Sequence, residues 1–168
     1  MEVREVSPEE HAQVARLTLD AYLNPAEDEH RSPISEFEEH YGPQLENIQE
    51  RAAKAVVLVA VEGDDILGAV TYVPGADNDY AEFSDQDAAG IRMLAVSPAA
   101  QRRGVGRALM QACIDRARQA RKRLIVLHTT QWMMPAQTMY RKLGFHRAQD
   151  RDIVTSSQMH LMGYELPL

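Results

Sequence analysis

Residues 101–110 read QRRGVGRALM, placing three arginines and two glycines where a helix should begin, in a chain of 168 residues whose formal net charge is −7. Amides in the first turn of a helix have no intrahelical partners and carry the positive end of its dipole. An anion placed there gains hydrogen bonds and field together. Gly104 and Gly106 have no Cβ to hold such a guest away, and Arg102, Arg103 and Arg107 add mobile positive charge around the turn. The stretch predicts a seat for a phosphate or pyrophosphate, with an ordinary tight turn as the alternative. A nucleoside-triphosphate loop would follow its last glycine with Lys and then Ser or Thr, but Arg107 and Ala108 stand there. A dinucleotide fingerprint would need a third glycine, where Leu109 stands, and an acid at the end of the next strand, which closes instead on His128.

Around this turn the periodicity is that of a βαβ unit. Ile91 to Val96 is a short apolar strand, and Val105, Leu109, Ala112, Cys113 and Ala117 trace the inner face of a helix. Leu124 to Leu127 is the unbroken apolar run of a strand buried on both faces. Upstream, MEVREV predicts a first strand. Ser7-Pro8-Glu9-Glu10 predicts a helix start with a capping box, the helix running to about Leu23. Asn24 to Pro33 is rich in turn formers. Phe37, Tyr41, Leu45 and Ile48 predict a second helix interrupted at Gly42-Pro43. Ala55 to Val61 and Ile66 to Val73 flank Glu62-Gly63-Asp64-Asp65 as an antiparallel hairpin. Pro74 to Gly90 reads as a long acidic loop. Downstream come a helix from Met133 to Lys142 stopped by Gly144, and strands over Phe145 to Ala148 and Met159 to Leu166.

Composition bounds the class. With 45% apolar residues, 168 residues make a single domain, taken as 1–168, large enough to bury a core. The longest apolar run, Ala55 to Val61, is far below the roughly 18 residues that suggest a membrane span. MEVREV lacks the order of a secretory signal, so a cytoplasmic protein is the expectation. Cys113 is the only cysteine, and the six histidines show no ligand spacing, so no metal site is expected. Residues 24–50 carry eight acids against Arg31 alone, and residues 101–123 carry eight bases against Asp115 alone. A nucleic-acid module built on the basic helix is disfavoured by the overall acidity.

Gln101-Arg102-Arg103-Gly104-Val105-Gly106 resembles the [QR]-x-x-G-x-[GA] pyrophosphate signature of the GNAT superfamily of acyl-CoA-dependent N-acyltransferases. Arg92-Met93-Leu94-Ala95-Val96-Ser97-Pro98 resembles that family's central strand and turn, and Ala136, Tyr140, Gly144 and Phe145 its A-x-x-x-Y-x-x-x-G-F segment. The three motifs stand in the family's order and spacing over residues 91–146. The resemblance implies an α/β fold: a central mixed sheet with helices on both faces, whose parallel strands splay to form an acyl-CoA cleft. It further implies that the main chain of Leu94, Ala95 and Val96 pairs with the pantetheine arm. Gln101, Arg102, Arg103, Gly104, Val105, Gly106 and Arg107 would surround the pyrophosphate, with Ala136 beside the cofactor and Tyr140 near its sulfur. Relatives are commonly dimers, which makes a homodimer one option, while the sequence itself does not fix the oligomeric state. Met133 departs from the family, many of whose members carry asparagine seven positions before the tyrosine.

The implied activity is N-acetylation of a primary amine by acetyl-CoA, by direct transfer in a ternary complex. Tyr140 would protonate the leaving thiolate, and amides near Leu94 to Val96 would stabilise the oxyanion. A lysine-like amine, with a pKa of about 10.4, must first lose a proton. Gly90, Ile91 and Arg92 stand where relatives often place an acid, so the base candidates are Glu82, Asp85 and Asp87 of the preceding loop, His128, or water. Cys113 reads as core. The acids from Glu27 to Glu50 would favour a cationic acceptor, small molecule or protein. An acyl-CoA-binding sensor without turnover is the alternative.

Overall fold

Alternation along the strands decides which helix covers which face of the sheet. In β2 (Val56–Glu62), Leu58 and Ala60 join one buried cluster while Val59 and Val61 join another, as the two-residue period of a strand requires. The computed structural model describes residues 1–23, 43, 46–156 and 158–168. Within them, α1 (His11–Leu23) and α2 (Ile48–Lys54) bury Val14 and Ile48 against one face. On the other, α3 (Val105–Gln119) and α4 (Met134–Lys142) bury Leu109, Met110, Cys113 and Tyr140.

The remaining strands are β1 (Glu2–Glu5), β3 (Asp65–Val73), β4 (Ala88–Val96), β5 (Leu124–Thr129), β6 (His146–Arg147), β7 (Ile153–Val154) and β8 (His160–Pro167). They form one sheet in the order β1-β2-β3-β4-β5-β8-β6, with β7 also on β8. Among the described residues only β4 and β5 are parallel, joined through α3; the other pairings there are antiparallel. The expected βαβ unit and hairpin are therefore present, the latter turning tightly between paired Glu62 and Asp65 with Gly63 at φ 61°. Near the N-terminus, Glu10 closes back on the amide of Ser7 at 2.8 Å and takes both Arg4 guanidinium nitrogens at 2.9 and 2.7 Å. Arg4 holds that carboxyl down at about 2. A turn of 3-10 helix over Pro8–Glu10 precedes α1.

Several boundaries differ from the sequence reading. β4 begins at Ala88, not Ile91, because Ala88, Ala89 and Gly90 lie fully enclosed mid-sheet, where small residues are needed. A Cβ on Gly90 would stand 2.6 Å from Phe83. The turn-rich segment 24–33 and the helix expected over Phe37, Tyr41 and Leu45 lie outside the described residues; Ile48 opens α2. The strand expected over 145–148 is two residues long, followed by a 3-10 turn, Gln149–Arg151. Among the described residues no helix is long and apolar enough to cross a membrane, and no group of three His, Cys, Asp or Glu could hold a metal ion.

Gly68 of β3 lets α3 settle on the sheet. A Cβ there would lie 2.7 Å from the Ala95 oxygen, 3.0 Å from Val105 and 3.2 Å from Leu109. Gly68→Ala is expected to cost about 1–3 kcal/mol through overpacking, read as a lowered urea midpoint.

Candidate active site

The site is built where β4 and β5 separate. Their ladder runs from Ala88 and Leu124 to Ile91 and Leu127 and stops. β5 continues along β8 to Thr129, while β4 continues along β3 to Val96. Between Arg92 and Ala95 the β4 register slips by one residue, with Met93 at φ 55°, a bulge that bends the strand away from β5. The Ser97 amide bonds to the Leu67 oxygen at 2.9 Å, toward β3. By alternation the main-chain groups of Val96 and Leu94 point to the opposite, open edge.

That edge borders a cleft of about 550 Å³. Leu94, Ala95 and Val96 form one wall. Gln101, Arg102, Gly104, Val105, Gly106 and Arg107 form the end at the glycine turn, and Ala136, Met139 and Lys142 of α4 form the other wall, with Met133 at its start and Tyr22 of α1 also lining. Arg102 and Gly104 both adopt left-handed backbone, φ 62° and 82°, and Gly104 N-caps α3. The helix's first internal bond runs from the Ala108 amide to the Gly104 oxygen at 3.0 Å. The amides of Val105, Gly106 and Arg107 thus have no intrahelical acceptor. A Cβ on Gly106 would lie 3.3 Å from Met139 Sδ and 3.6 Å from Val96, so glycine allows α3, α4 and β4 to meet here. Arg103 leaves the cleft to pair with Glu62 at 2.6 Å.

Tyr140 lies under the α4 wall, only 6% exposed, its ring 6.0 Å from that of Phe145 and 6.2 Å from that of Tyr164. Burial, reinforced by Tyr22 and Tyr164, pushes its hydroxyl well above the ordinary tyrosine value, so it stays protonated. Cys113 is fully buried on α3, its thiol pushed up to about 12 by burial; this is the core residue expected, not a nucleophile.

A second depression, also about 550 Å³, lies against α2 and is lined by Glu50, Lys54, Tyr80, Glu82, Arg92 and Leu161 among others. Glu82 lies 2.8 Å from Arg92 Nη2 and 2.9 Å from His128 Nδ1. Asp85 binds Arg151 at 2.8 and 3.2 Å, and Arg151 also holds Glu165 at 2.7 Å. Three of the four base candidates, Glu82, Asp85 and His128, are therefore brought into one connected cluster. Asp85 is a poor base, because the Arg151 guanidinium holds its carboxyl below the usual carboxylate range. Asp87 sits at the far end of β4 near Arg123. Sequence reasoning missed Arg151 and Gln137. Gln137 is buried on α4, donates to the Thr130 oxygen at 2.8 Å and accepts from the Tyr164 hydroxyl at 3.2 Å, fixing the β5–α4 turn. Neither carries a local signal, since each works through partners distant in sequence.

An open-edged central strand, a left-handed glycine turn capping the next helix, and a following helix over the same cleft define an acyl-CoA-dependent transferase fold. The description "Acetyltransferase (GNAT) family" matches residues 16–145, and the chain belongs to that family. No curated protein matches the sequence. Solved structures similar over nearly the whole length include a ribosomal-protein-alanine N-acetyltransferase from Brucella melitensis (17% identity, TM-score 0.70, all of both chains). Another is the YncA protein of Salmonella typhimurium, determined with its cofactor acetyl-CoA (21%, 0.69, 100% of this chain and 94% of that one). A third is a GNAT-family acetyltransferase from Staphylococcus aureus (16%, 0.71, 99% and 98%). At these identities the likeness is one of fold.

A depressed carboxyl stabilises the fold above its unfolded pKa, and that contribution is lost as pH falls through the folded value. Asp85→Asn is therefore expected to be less stable than wild type near neutrality. The gap should narrow as pH drops below about 4 and vanish once Asp85 itself is protonated, as followed by thermal melts across pH.

Proposed function

We propose that the chain transfers an acetyl group from acetyl-CoA to a primary amine by direct attack in a ternary complex. The carrying observation is the open edge of β4 at Leu94 and Val96, ending on the free amides of Val105 to Arg107. That edge must be satisfied by hydrogen-bonding partners. An amide-bearing pantetheine arm running along β4 into a pyrophosphate at the turn fits both its direction and its charge. Arg102, Arg107 and Lys142 face the same cleft. Arg103, paired with Glu62, closes the turn from outside.

The thioester would then lie at the fork. Main-chain amides there would stabilise the oxyanion, and Tyr140, kept protonated by burial, would supply the proton to the departing sulfur. The amine would enter from the depression beside Glu82, where Glu50 and Asp79 add acidic rim and Lys54 bridges the two. That acidity supports a cationic acceptor, such as a small polyamine, an aminoglycoside or a protein amine. Chains associating as homodimers would leave this assignment unchanged.

Calorimetric titration with acetyl-CoA should show saturable binding, and amine-dependent thiol release is expected with one of spermidine, an aminoglycoside or a lysine-bearing peptide. Tyr140→Phe should cut release about 10²–10⁴-fold while binding persists. Binding without thiol release from any amine would instead favour the sensor reading. At Gly104, where nothing lies within 4 Å of the Cβ position but φ is 82°, alanine is expected to cost about 1–2 kcal/mol of backbone strain and to weaken acetyl-CoA binding.

A further inference from the structure

The β4–β5 ladder ends at Ile91 and Leu127, so the next rung would join Arg92 and His128. A side chain joins them instead. The Glu82 carboxylate reaches Arg92 Nη2 with Oε1 at 2.8 Å and His128 Nδ1 with Oε2 at 2.9 Å. On the other side of the ring, His128 Nε2 lies 2.7 Å from the Arg151 carbonyl oxygen. A carbonyl can only accept, so Nε2 carries the hydrogen. Nδ1 then faces a carboxylate, and their contact is a hydrogen bond only when one proton is shared between them. Without it, two lone pairs oppose each other at 2.9 Å. Glu82 and His128 are thus placed to share one proton between Oε2 and Nδ1.

Among the described residues the charged and titratable groups around the pair include Arg92 on β4 and Arg151, itself neutralised by Asp85 and Glu165, while Glu50, Lys54, Asp79 and Tyr80 line the same depression as Glu82. Only Glu82 of the pair lines the depression; the His128 side chain is 3% exposed.

Resting on the transferase reading above, we propose that Glu82 and His128 together accept the proton of the incoming ammonium. Glu82 touches the amine and is the catalytic residue; His128 holds the proton behind it. Arg92 and the Arg151 carbonyl are positioning groups. In the unloaded pair, the Oε2 and Nδ1 lone pairs face each other. One N–H bond of R–NH3⁺ breaks and its proton comes to lie between these two atoms, leaving R–NH2. The amine lone pair forms the C–N bond at the thioester carbonyl, the C–S bond breaks with its electron pair on sulfur, Tyr140 gives that sulfur its phenolic proton to form the thiol, and the second nitrogen proton restores the Tyr140 hydroxyl. The proton on the pair leaves through the open depression to solvent, restoring the acceptor. The clasp thereby supplies, from a loop, the carboxylate that β4 lacks at Gly90, Ile91 and Arg92.

The test follows the His128 ring by ¹⁵N NMR over pH in the full chain, with His128→Gln assigning the signals. Glu82→Gln is measured in parallel for its ring signals, its acetyl-CoA affinity by calorimetry, and its thiol release with the same three amines. The wild-type ring should lose its Nδ1 proton as pH rises while Nε2 keeps its own. In Glu82→Gln, whose amide can donate to Nδ1, that loss should move to lower pH. The same variant should bind acetyl-CoA as wild type does, with kcat/KM lowered about 10²–10⁴-fold. His128→Gln should retain acetyl-CoA binding and shift the rising limb of the pH profile. An Nδ1 that carries no proton at any pH at which the fold persists, or Glu82→Gln turning over at the wild-type rate, would overturn the proposal while acetyl-CoA binding leaves the transferase reading standing. Failure of wild type to bind acetyl-CoA would remove both. Should Glu82→Gln fail to fold, the wild-type ring titration and the His128→Gln profile still decide.

Discussion

Two parallel strands that stop pairing halfway along their length govern this molecule. Past Ile91 and Leu127, β4 and β5 take different partners, and the inner edge of β4 is left with main-chain groups that the sheet does not satisfy. Backbone donors and acceptors withheld from both protein and water are costly. A fork in the centre of a sheet therefore persists only where something able to hydrogen-bond can enter it. A ligand with peptide-like amides would meet that requirement, and the cleft that opens at the fork is where one could enter.

Several features hold the fork open. The bulge at Met93 turns β4 outward, and Gly68 lets α3 descend onto β3 so that its N-terminus meets the end of β4. Left-handed backbone at Arg102 and Gly104 aims the first amides of α3 into the cleft. Non-glycine residues in that region of backbone space are uncommon and concentrate at functional sites; Met93 and Arg102, at opposite ends of the strand and turn, are two such residues. On the far side of the sheet, Glu82 closes the base of the fork by tying Arg92 to His128. Charge is divided between the two depressions: Arg102, Arg107 and Lys142 line the cleft at the turn, and the Glu82 carboxylate lines the one against α2.

Much of this was legible in the sequence. The glycine turn, the helix behind it and the apolar strand 124–127 are local patterns, fixed by backbone chemistry and periodicity, and the spacing of Tyr140 from Ala136 and Gly144 pointed to the same family. Less legible was the start of β4: Ala88, Ala89 and Gly90 look like turn composition because a central strand enclosed on both faces has no alternation to display. Glu82, Asp85 and His128 stood out as acid-base candidates, but their separate fates did not. Asp85 is tied up by Arg151, 66 residues on; no pattern around either residue encodes that contact.

Sequence alone determined the βαβ unit, the hairpin, the glycine turn and the class of chemistry, because each depends on residues close together in the chain. Tertiary structure decided where the ladder ends, that Arg103 turns outward to Glu62, that Tyr140 is enclosed, and that a loop carboxylate bridges two strands. These depend on groups brought together across the sheet, where burial and a neighbour's charge, absent from the extended chain, set what each side chain can do.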